Sequence, residues 1–333
     1  MILEQLIQLT DIHKLRCKAY SDFTLSMFPN TNIQSLSDLP YLPVRAFKEF
    51  NLFSVAPDDV FKIMTSSGTS GRYSKIYLDK ETAQLQSKAL IKIFTDTFSK
   101  SRFPMLVIDA EATVRDKKQF SARTAAINGF SLFSRGRCFA LDDNMALNLD
   151  RVEAFIEKQR GQPIFVFGFT FLIWKQFVQV LLNMNKKLDL SNAFFLHGGG
   201  WKKLQDESVS NDQYKSQILN TTGCCDVRNY YGMIEQTGTI FMECRNGNLH
   251  ASEQSDVLVR DVTDHLALDH EKEGIIQVFS SIQRSYPGHS LLTEDIGCTL
   301  SASTCRCGHP GTIVKIYGRL AQAEVRGCSD AHT

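Results

Sequence analysis

The sequence lacks an apolar run of the roughly 18–20 residues that a bilayer-spanning helix needs, so none of its 333 residues marks a membrane span. It also lacks net charge: 37 Lys and Arg against 36 Asp and Glu leave +1. Without a field of one sign, neither nucleic acid nor an acidic membrane surface is an expected partner. The basic pairs Lys117-Lys118, Lys186-Lys187 and Lys202-Lys203 are short and scattered, and read as solvated helix faces. The opening MILEQLIQLTDIHKL carries Glu4 and Asp11 among its apolar residues. It has neither the basic start nor the unbroken apolar core of a signal peptide. Nine cysteines, an odd number, fit poorly with a closed disulfide framework. Reduced thiols in a cytoplasmic protein are the expectation, which opens metal and thiol chemistry. Repeats and low-complexity tracts are missing as well. So are a Walker loop, a GxGxxG fingerprint and a Gly-x-Ser-x-Gly elbow, which argues against three common enzyme classes.

What is present is an ordinary globular balance with 43% hydrophobic and 22% charged positions, enough chain for one large domain or two. Apolar residues near helical spacing mark Leu3–Leu9 and then Leu15–Phe28. LPYLPVRAFKEFNLF (39–53) reads as an extended connector entering a short helix. Asp79 is placed to cap a helix running to about Ser99. Short apolar strands then alternate with helical stretches: MLVID (105–109) before a helix near 119–133, PIFVF (163–167) before one near 170–184. AFFL (193–196) runs into HGGG and a helix after Trp201, and DVRNYYG (226–232) is a strand ending in a glycine turn. This alternation predicts βαβ units and a mainly parallel sheet. Beyond residue 239, SDVLV, GIIQVF and GTIVKIYG read as strands separated by turns, giving a β-rich C-terminal portion.

In open α/β sheets, ligands sit outside the carboxyl ends of the strands. Three strands here end in loops of chemical interest: TSSGTSG, LHGGGWKK and YYGMIEQTG. Hydroxyls and closely approaching backbone N–H groups in the first suit phosphate oxygens, although a plain Ser/Gly surface loop has the same composition. ECRNGNLH supplies Cys244 and His250, and TCRCGHPG supplies Cys305 and Cys307. Three thiolates and one imidazole make a closed structural zinc set. Buried, metal-free cysteines are the alternative, and His309 rivals His250 as ligand. Cys224 and Cys225 read as packing residues. His197, ahead of the triple glycine, is either a substrate-orienting residue or a strand-end histidine.

The three loops together resemble the adenylate-forming superfamily, in which an acid and ATP give an acyl-adenylate and pyrophosphate. TSSGTSGRYSK looks like its phosphate loop and YYGMIEQTG like its aromatic-Gly-x-Thr-Glu motif. LLTEDIG looks like its ribose-binding motif and YGRLAQAEVRG like its hinge. Within that superfamily, YLPVRAFKEF, FGFTFLIW, LHGGGWKK, YGMIEQTG and AEVRGC resemble the LuxE acyl-protein synthetase family, a relative of the phenylacetate–CoA ligases. These phrases extend from residue 41 to 328.

The resemblance implies an α/β adenylate-forming core with mainly parallel sheets, a β-rich C-terminal portion and no separate C-terminal domain. The expected division is a helical and connector segment at 1–60, the α/β core at 61–238, a β-rich subdomain at 239–318 and a hinge-like tail at 319–333. The phosphate loop would be Thr65, Ser66, Ser67, Gly68, Thr69, Ser70 and Gly71. Gly198, Gly199 and Gly200 would line the adenine, with Tyr231 stacked on it and Gly232 beside it. Glu235 would hold Mg²⁺ against the phosphates. Asp295 would accept from the ribose hydroxyls, and Arg319 would add charge near the nucleotide. Cys/His positions similar to the zinc set occur in relatives of the phenylacetate–CoA ligases. Cys328 stands where the family acylates its own cysteine.

Departures from the pattern are specific. Ile234 replaces a phosphate-contacting threonine, Tyr73-Ser74 replace Pro-Lys, and the chain stops fourteen residues after Arg319. The expected activity is ATP- and Mg²⁺-dependent activation of a carboxylic acid, by family default a fatty acid, with transfer to a protein thiol. The expected partners are that acid and an acyl-accepting reductase or carrier protein. Transfer to coenzyme A is the alternative of the same chemistry. A catalytically weak nucleotide-binding scaffold in a biosynthetic complex is the alternative of another class, favoured by Ile234 and the short tail.

Overall fold

The computed structural model describes residues 2–29, 32–66, 73–115, 121–201 and 209–320. These pack as two compact units, one taking in residues up to Thr97 and from Gly232 onward, the other Phe98–Tyr231. In chain order the strands are β1 (Leu42–Pro43), β2 (Lys62–Thr65), β3 (Lys75–Leu78), β4 (Phe103–Ala110) and β5 (Ser134–Leu141). Next come β6 (Ile164–Phe169), β7 (Ala193–Gly198), β8 (Asp226–Tyr231), β9 (Phe241–Glu243) and β10 (Leu249–His250). The last are β11 (Ser255–Arg260), β12 (Ala267–Leu268), β13 (Gly274–Ser280), β14 (Ser290–Leu300) and β15 (Ile313–Arg319).

In the Phe98–Tyr231 unit the strand order is β5-β4-β6-β7-β8, every neighbouring pair parallel. All residues of β4, β6 and β7 are buried, as expected of strands covered on both faces. On one side Leu106, Val166 and Phe195 pack with Trp174, Phe177 and Tyr214 from the helices. The helical stretch from Thr170 to Asn183 is interrupted by a π-helical segment, Ile173–Val178. Helix Asn211–Thr222 is capped at its start by Ser210 and ends on Gly223 in the left-handed region.

The other unit pairs β12-β11-β13-β14-β15-β10-β9 antiparallel, with β1 parallel to β14 and a separate hairpin β2-β3. The chain therefore has an α/β fold with a parallel core and antiparallel C-terminal strands. Helices Ile2–Arg16 and Lys18–Met27 are held here by buried polar contacts as well as by apolar packing. His13 Nε2–H donates to the Gln283 carbonyl at 2.9 Å, so its Nδ1 accepts from the Ser54 hydroxyl at 2.7 Å. The His289 ring stacks on it at 5.0 Å and bonds Thr10 Oγ1 at 2.9 Å. Burial pushes the His13 imidazole down to about 4 and that of His289 well below its usual value.

Several elements differ from the sequence expectation. The first helix continues through Leu15 to Arg16, and the break falls at Cys17, which is extended at φ −120° and ψ 98°. Strand β5 carries no clear strand signal in the sequence, because SRGRCFAL buries only its last three residues and exposes charged ones before them. The helix capped by Asp79 follows the expectation: it runs Lys80–Thr97, with the Thr82 N–H donating to Asp79 Oδ1 at 2.7 Å.

Candidate active site and metal centre

The candidate phosphate loop springs from the β2-β3 hairpin, where Thr65 lies opposite Lys75. Its neck is closed twice: Ser66 N–H donates to the Ser74 carbonyl at 3.1 Å, and Ser74 N–H to Ser66 Oγ at 2.9 Å. Ser74 is fully buried, and its own hydroxyl has no hydrogen-bond partner among the described residues. Tyr73 and Lys75 are exposed. Ser67, Gly68, Thr69, Ser70 and Gly71 lie outside the described residues.

Gly198 is the last residue of β7, paired with Tyr230 of β8. The Tyr230 ring lies where a side chain at 198 would begin, 2.3 Å from an ideal Cβ, so no larger residue fits. Gly199 turns the chain out of the sheet at φ +76°, and both it and Gly200 are exposed. Tyr231 ends β8 half-buried, and Gly232 follows, exposed. His197 is buried against Tyr214 (ring centroids 4.6 Å apart) with Nδ1 2.9 Å from Thr170 Oγ1. Burial pushes its imidazole down to about 3, so it is neutral.

Ile234–Gln236 form one 3-10 turn, and all three side chains are buried. Gln236 fixes the turn by donating to the carbonyls of Val278 at 3.1 Å and Gly288 at 2.8 Å. Glu235 is 3% exposed, and its Oε1 has no hydrogen-bond partner among the described residues. A buried carboxylate oxygen left unmet is costly, and a hard cation satisfies it. Burial, and then the nearby Glu235 carboxylate, push the Tyr286 hydroxyl well above its usual value. Asp295 and Arg319 face each other across β14 and β15, with Nε 3.5 Å from Oδ1. Thr293 Oγ1 donates to the Ile276 carbonyl at 2.8 Å and accepts from Asp295 N–H at 3.1 Å. These bonds of Thr293 and Ser74 are not signalled by the sequence, although both residues stand inside the quoted motifs.

The ligand atoms of Cys244, His250, Cys305 and Cys307 all lie within 4.8 Å of one another. Cys244 Sγ is 3.7 Å from Cys305 Sγ, and Cys307 Sγ is 3.4 Å from His250 Nε2. A tetrahedral zinc ion would place two sulfurs about 3.8 Å apart and a sulfur and an imidazole nitrogen about 3.6 Å apart, so the donor set fits. His250 Nδ1 is 3.0 Å from the Gly311 carbonyl, which orients the ring and leaves Nε2 facing the thiols. Burial raises the Cys305 thiol. Hydrogen bonds led by the Cys307 backbone and the Asn248 amide outweigh it and bring the thiol down to about 5. His309 stays outside this grouping, its ring centroid 5.1 Å from that of His250.

Cys224 is buried with its thiol 3.0 Å from the Ala193 carbonyl, and burial pushes it up to about 12, an unreactive state. Cys225 is exposed. Cys328 lies outside the described residues. A cavity of about 960 Å³ lined by Ser54, Asp58, Phe61 and Lys80 contains none of the candidate site residues. Among the described residues no helix is long and apolar enough to cross a membrane.

The family described as "Acyl-protein synthetase, LuxE" matches residues 3–333. The long-chain-fatty-acid–luciferin-component ligase of Vibrio harveyi is 24% identical over 330 residues, covering 89% of this chain and 78% of that protein. Among solved structures, an open conformation of 2-hydroxyisobutyryl-CoA ligase with 2-HIB-AMP and CoA superposes with a TM-score of 0.74 at 14% identity. That match covers 96% of this chain and 74% of the ligase. ATP-bound MatB from Rhodopseudomonas palustris gives 0.53 at 16% identity, covering 80% of this chain and 49% of MatB. The chain thus shares the fold of acyl-CoA ligases and belongs to the LuxE acyl-protein synthetase family.

Proposed function

We propose that this ligase activates a long-chain fatty acid with ATP and passes the acyl group to a protein thiol. Support comes from the match to the acyl-protein synthetase family over residues 3–333, and the site observation that carries the reading is the buried, unmet Oε1 of Glu235. The fatty-acid carboxylate attacks the α-phosphorus of ATP, and pyrophosphate leaves. A thiolate then attacks the acyl carbonyl and AMP leaves, the thiol having given its proton to solvent. The first half needs positioning and charge neutralisation rather than covalent help. Glu235 would hold Mg²⁺, which supplies positive charge to the phosphates. Thr65, Ser66 and the rest of the loop through Gly71 cradle those phosphates. Gly198–Gly200 and Tyr231–Gly232 receive the adenine, Asp295 accepts from the ribose and Arg319 balances charge beside it. Cys328 is the acyl acceptor, with Arg326 two residues away favouring the thiolate. Cys244, His250, Cys305 and Cys307 would hold a structural zinc, since four protein donors leave no open position for a reacting water.

Intact-mass analysis with ATP, Mg²⁺ and a panel of fatty acids tests this reading. One acyl group should add, hydroxylamine should remove it, and Cys328→Ser should abolish the stable thioester while pyrophosphate release continues. A label mapping to Cys138, Cys224 or Cys225 would refute the acceptor. Acyl-CoA formation without a protein adduct would move the protein to the CoA-ligase alternative.

A further inference from the structure

The carbonyl of Gly198 is held from the side. Thr170 Oγ1 donates to it at 3.2 Å. That bond uses the only proton on the hydroxyl, so the 2.9 Å contact to His197 Nδ1 must run the other way, with Nδ1–H donating to Thr170 Oγ1. The tautomer of His197 is therefore fixed by its partner, and Nε2 carries the bare lone pair. Burial keeps the ring neutral, so the arrangement holds across the physiological range. Thr170 is itself restrained, its own carbonyl accepting from Tyr214 O–H at 3.3 Å.

The consequence lies one peptide further on. In a trans peptide, C=O and N–H point to opposite sides. The peptide joining Gly198 to Gly199 stands at the end of β7 with no side chain on either residue, so it has more freedom to flip than a peptide between larger residues. Tying the Gly198 carbonyl to Thr170 aims the Gly199 N–H away from Thr170, at the point where the chain leaves the sheet with φ +76°.

We propose that Thr170 and His197 are positioning residues for nucleotide, presetting the Gly198–Gly199 peptide so that the glycine loop meets ATP in one orientation. This rests on the reading of Gly198–Gly200 as the nucleotide-lining loop. The two residues stand 27 apart in sequence, His197 directly ahead of the three glycines and Thr170 in the separate phrase FGFTFLIW.

The test measures ATP-dependent pyrophosphate release in wild type, Thr170→Val, Thr170→Ser and His197→Phe, with KM and kcat for ATP and KM for the fatty acid. Thr170→Val keeps the volume but loses both bonds, and should raise the ATP KM about tenfold with kcat within about threefold, because a preset binding geometry is lost. Thr170→Ser should restore the wild-type KM. His197→Phe keeps the ring packing and frees the hydroxyl to rotate, and should raise the ATP KM about threefold. The fatty-acid KM should not move. An unchanged ATP KM in folded Thr170→Val would overturn the proposal, as would equal damage to the ATP and fatty-acid parameters. If Thr170→Val does not fold, the same two outcomes are read from His197→Phe. Absence of ATP-dependent release in the wild type would defeat the functional reading instead, which separates the two failures.

Discussion

All eight residues of β4 are buried, whereas β2 buries one of its four. The same contrast extends to side-chain chemistry. In the Phe98–Tyr231 unit, Cys224 sits among apolar neighbours and its thiol is pushed up to about 12. In the other unit, hydrogen-bond donors around Cys305 bring its thiol down to about 5. Burial raises the first thiol, and hydrogen bonds lower the second, while its neighbour Cys307 is raised. The glycine loop Gly198–Gly200 belongs to the parallel unit. Glu235, Asp295, Arg319 and the thiol cluster all belong to the unit with antiparallel strands.

If that division of labour is right, the largest loss comes from Glu235→Gln, which keeps the shape and removes the charge. Acid-dependent pyrophosphate release should fall by about two orders of magnitude or more. Unchanged turnover at limiting Mg²⁺ would break the comparison at its strongest point. The metal centre comes next. Protein purified without chelators should hold close to one zinc per chain, bound by the four donors that now lie within 4.8 Å of one another. Cys305→Ser should lose the ion and melt on the order of 10 °C lower, as a multi-kcal/mol loss implies for a chain of this size. Native alkylation of all four side chains would refute the site.

A smaller effect separates the two units by pH. His13 and His289 are buried and neutral in one unit and His197 in the other, each with its imidazole held below the ordinary value of 6.5. Below about pH 6.5 the unfolded chain takes up protons that the folded chain refuses. Stability is therefore full above that point and lost as pH falls toward about 4 for His13 and about 3 for His197. Each histidine contributes a slope of about 1.4 kcal/mol per pH unit inside its window. Hydrogen exchange near pH 5 should then lose protection first in the unit that holds His13 and His289. Equal loss in both would remove this distinction. The smallest predicted effect is local: Asp79→Ala deletes the cap of helix Lys80–Thr97 and should lower stability by about 1 kcal/mol, seen in denaturant unfolding.

How much of this was legible depends on sequence distance. MLVID, PIFVF and AFFL show themselves as unbroken apolar runs because their strands are covered on both faces. SRGRCFAL hides because an edge position exposes its charged half. The Cys-x-Cys spacing pointed to metal chemistry, yet only geometry distinguishes His250 from His309, which lies close by. The Ser66–Ser74 neck is local and sits in a quoted motif. The Thr170–Gly198 bond links two different strand ends, and no pattern of residue types announces such a pairing.

The π-helical segment Ile173–Val178 carries a further consequence. A π turn fits one residue more than an α turn into about the same rotation, so it absorbs an extra amino acid within the helical stretch. Removing one amino acid there would close the turn to α and leave the residues before and after it facing nearly as they do now. Thr170 lies on one side of the segment, and Leu181, packed in the core, lies on the other. The length of this segment can therefore change by one letter while both ends keep their neighbours.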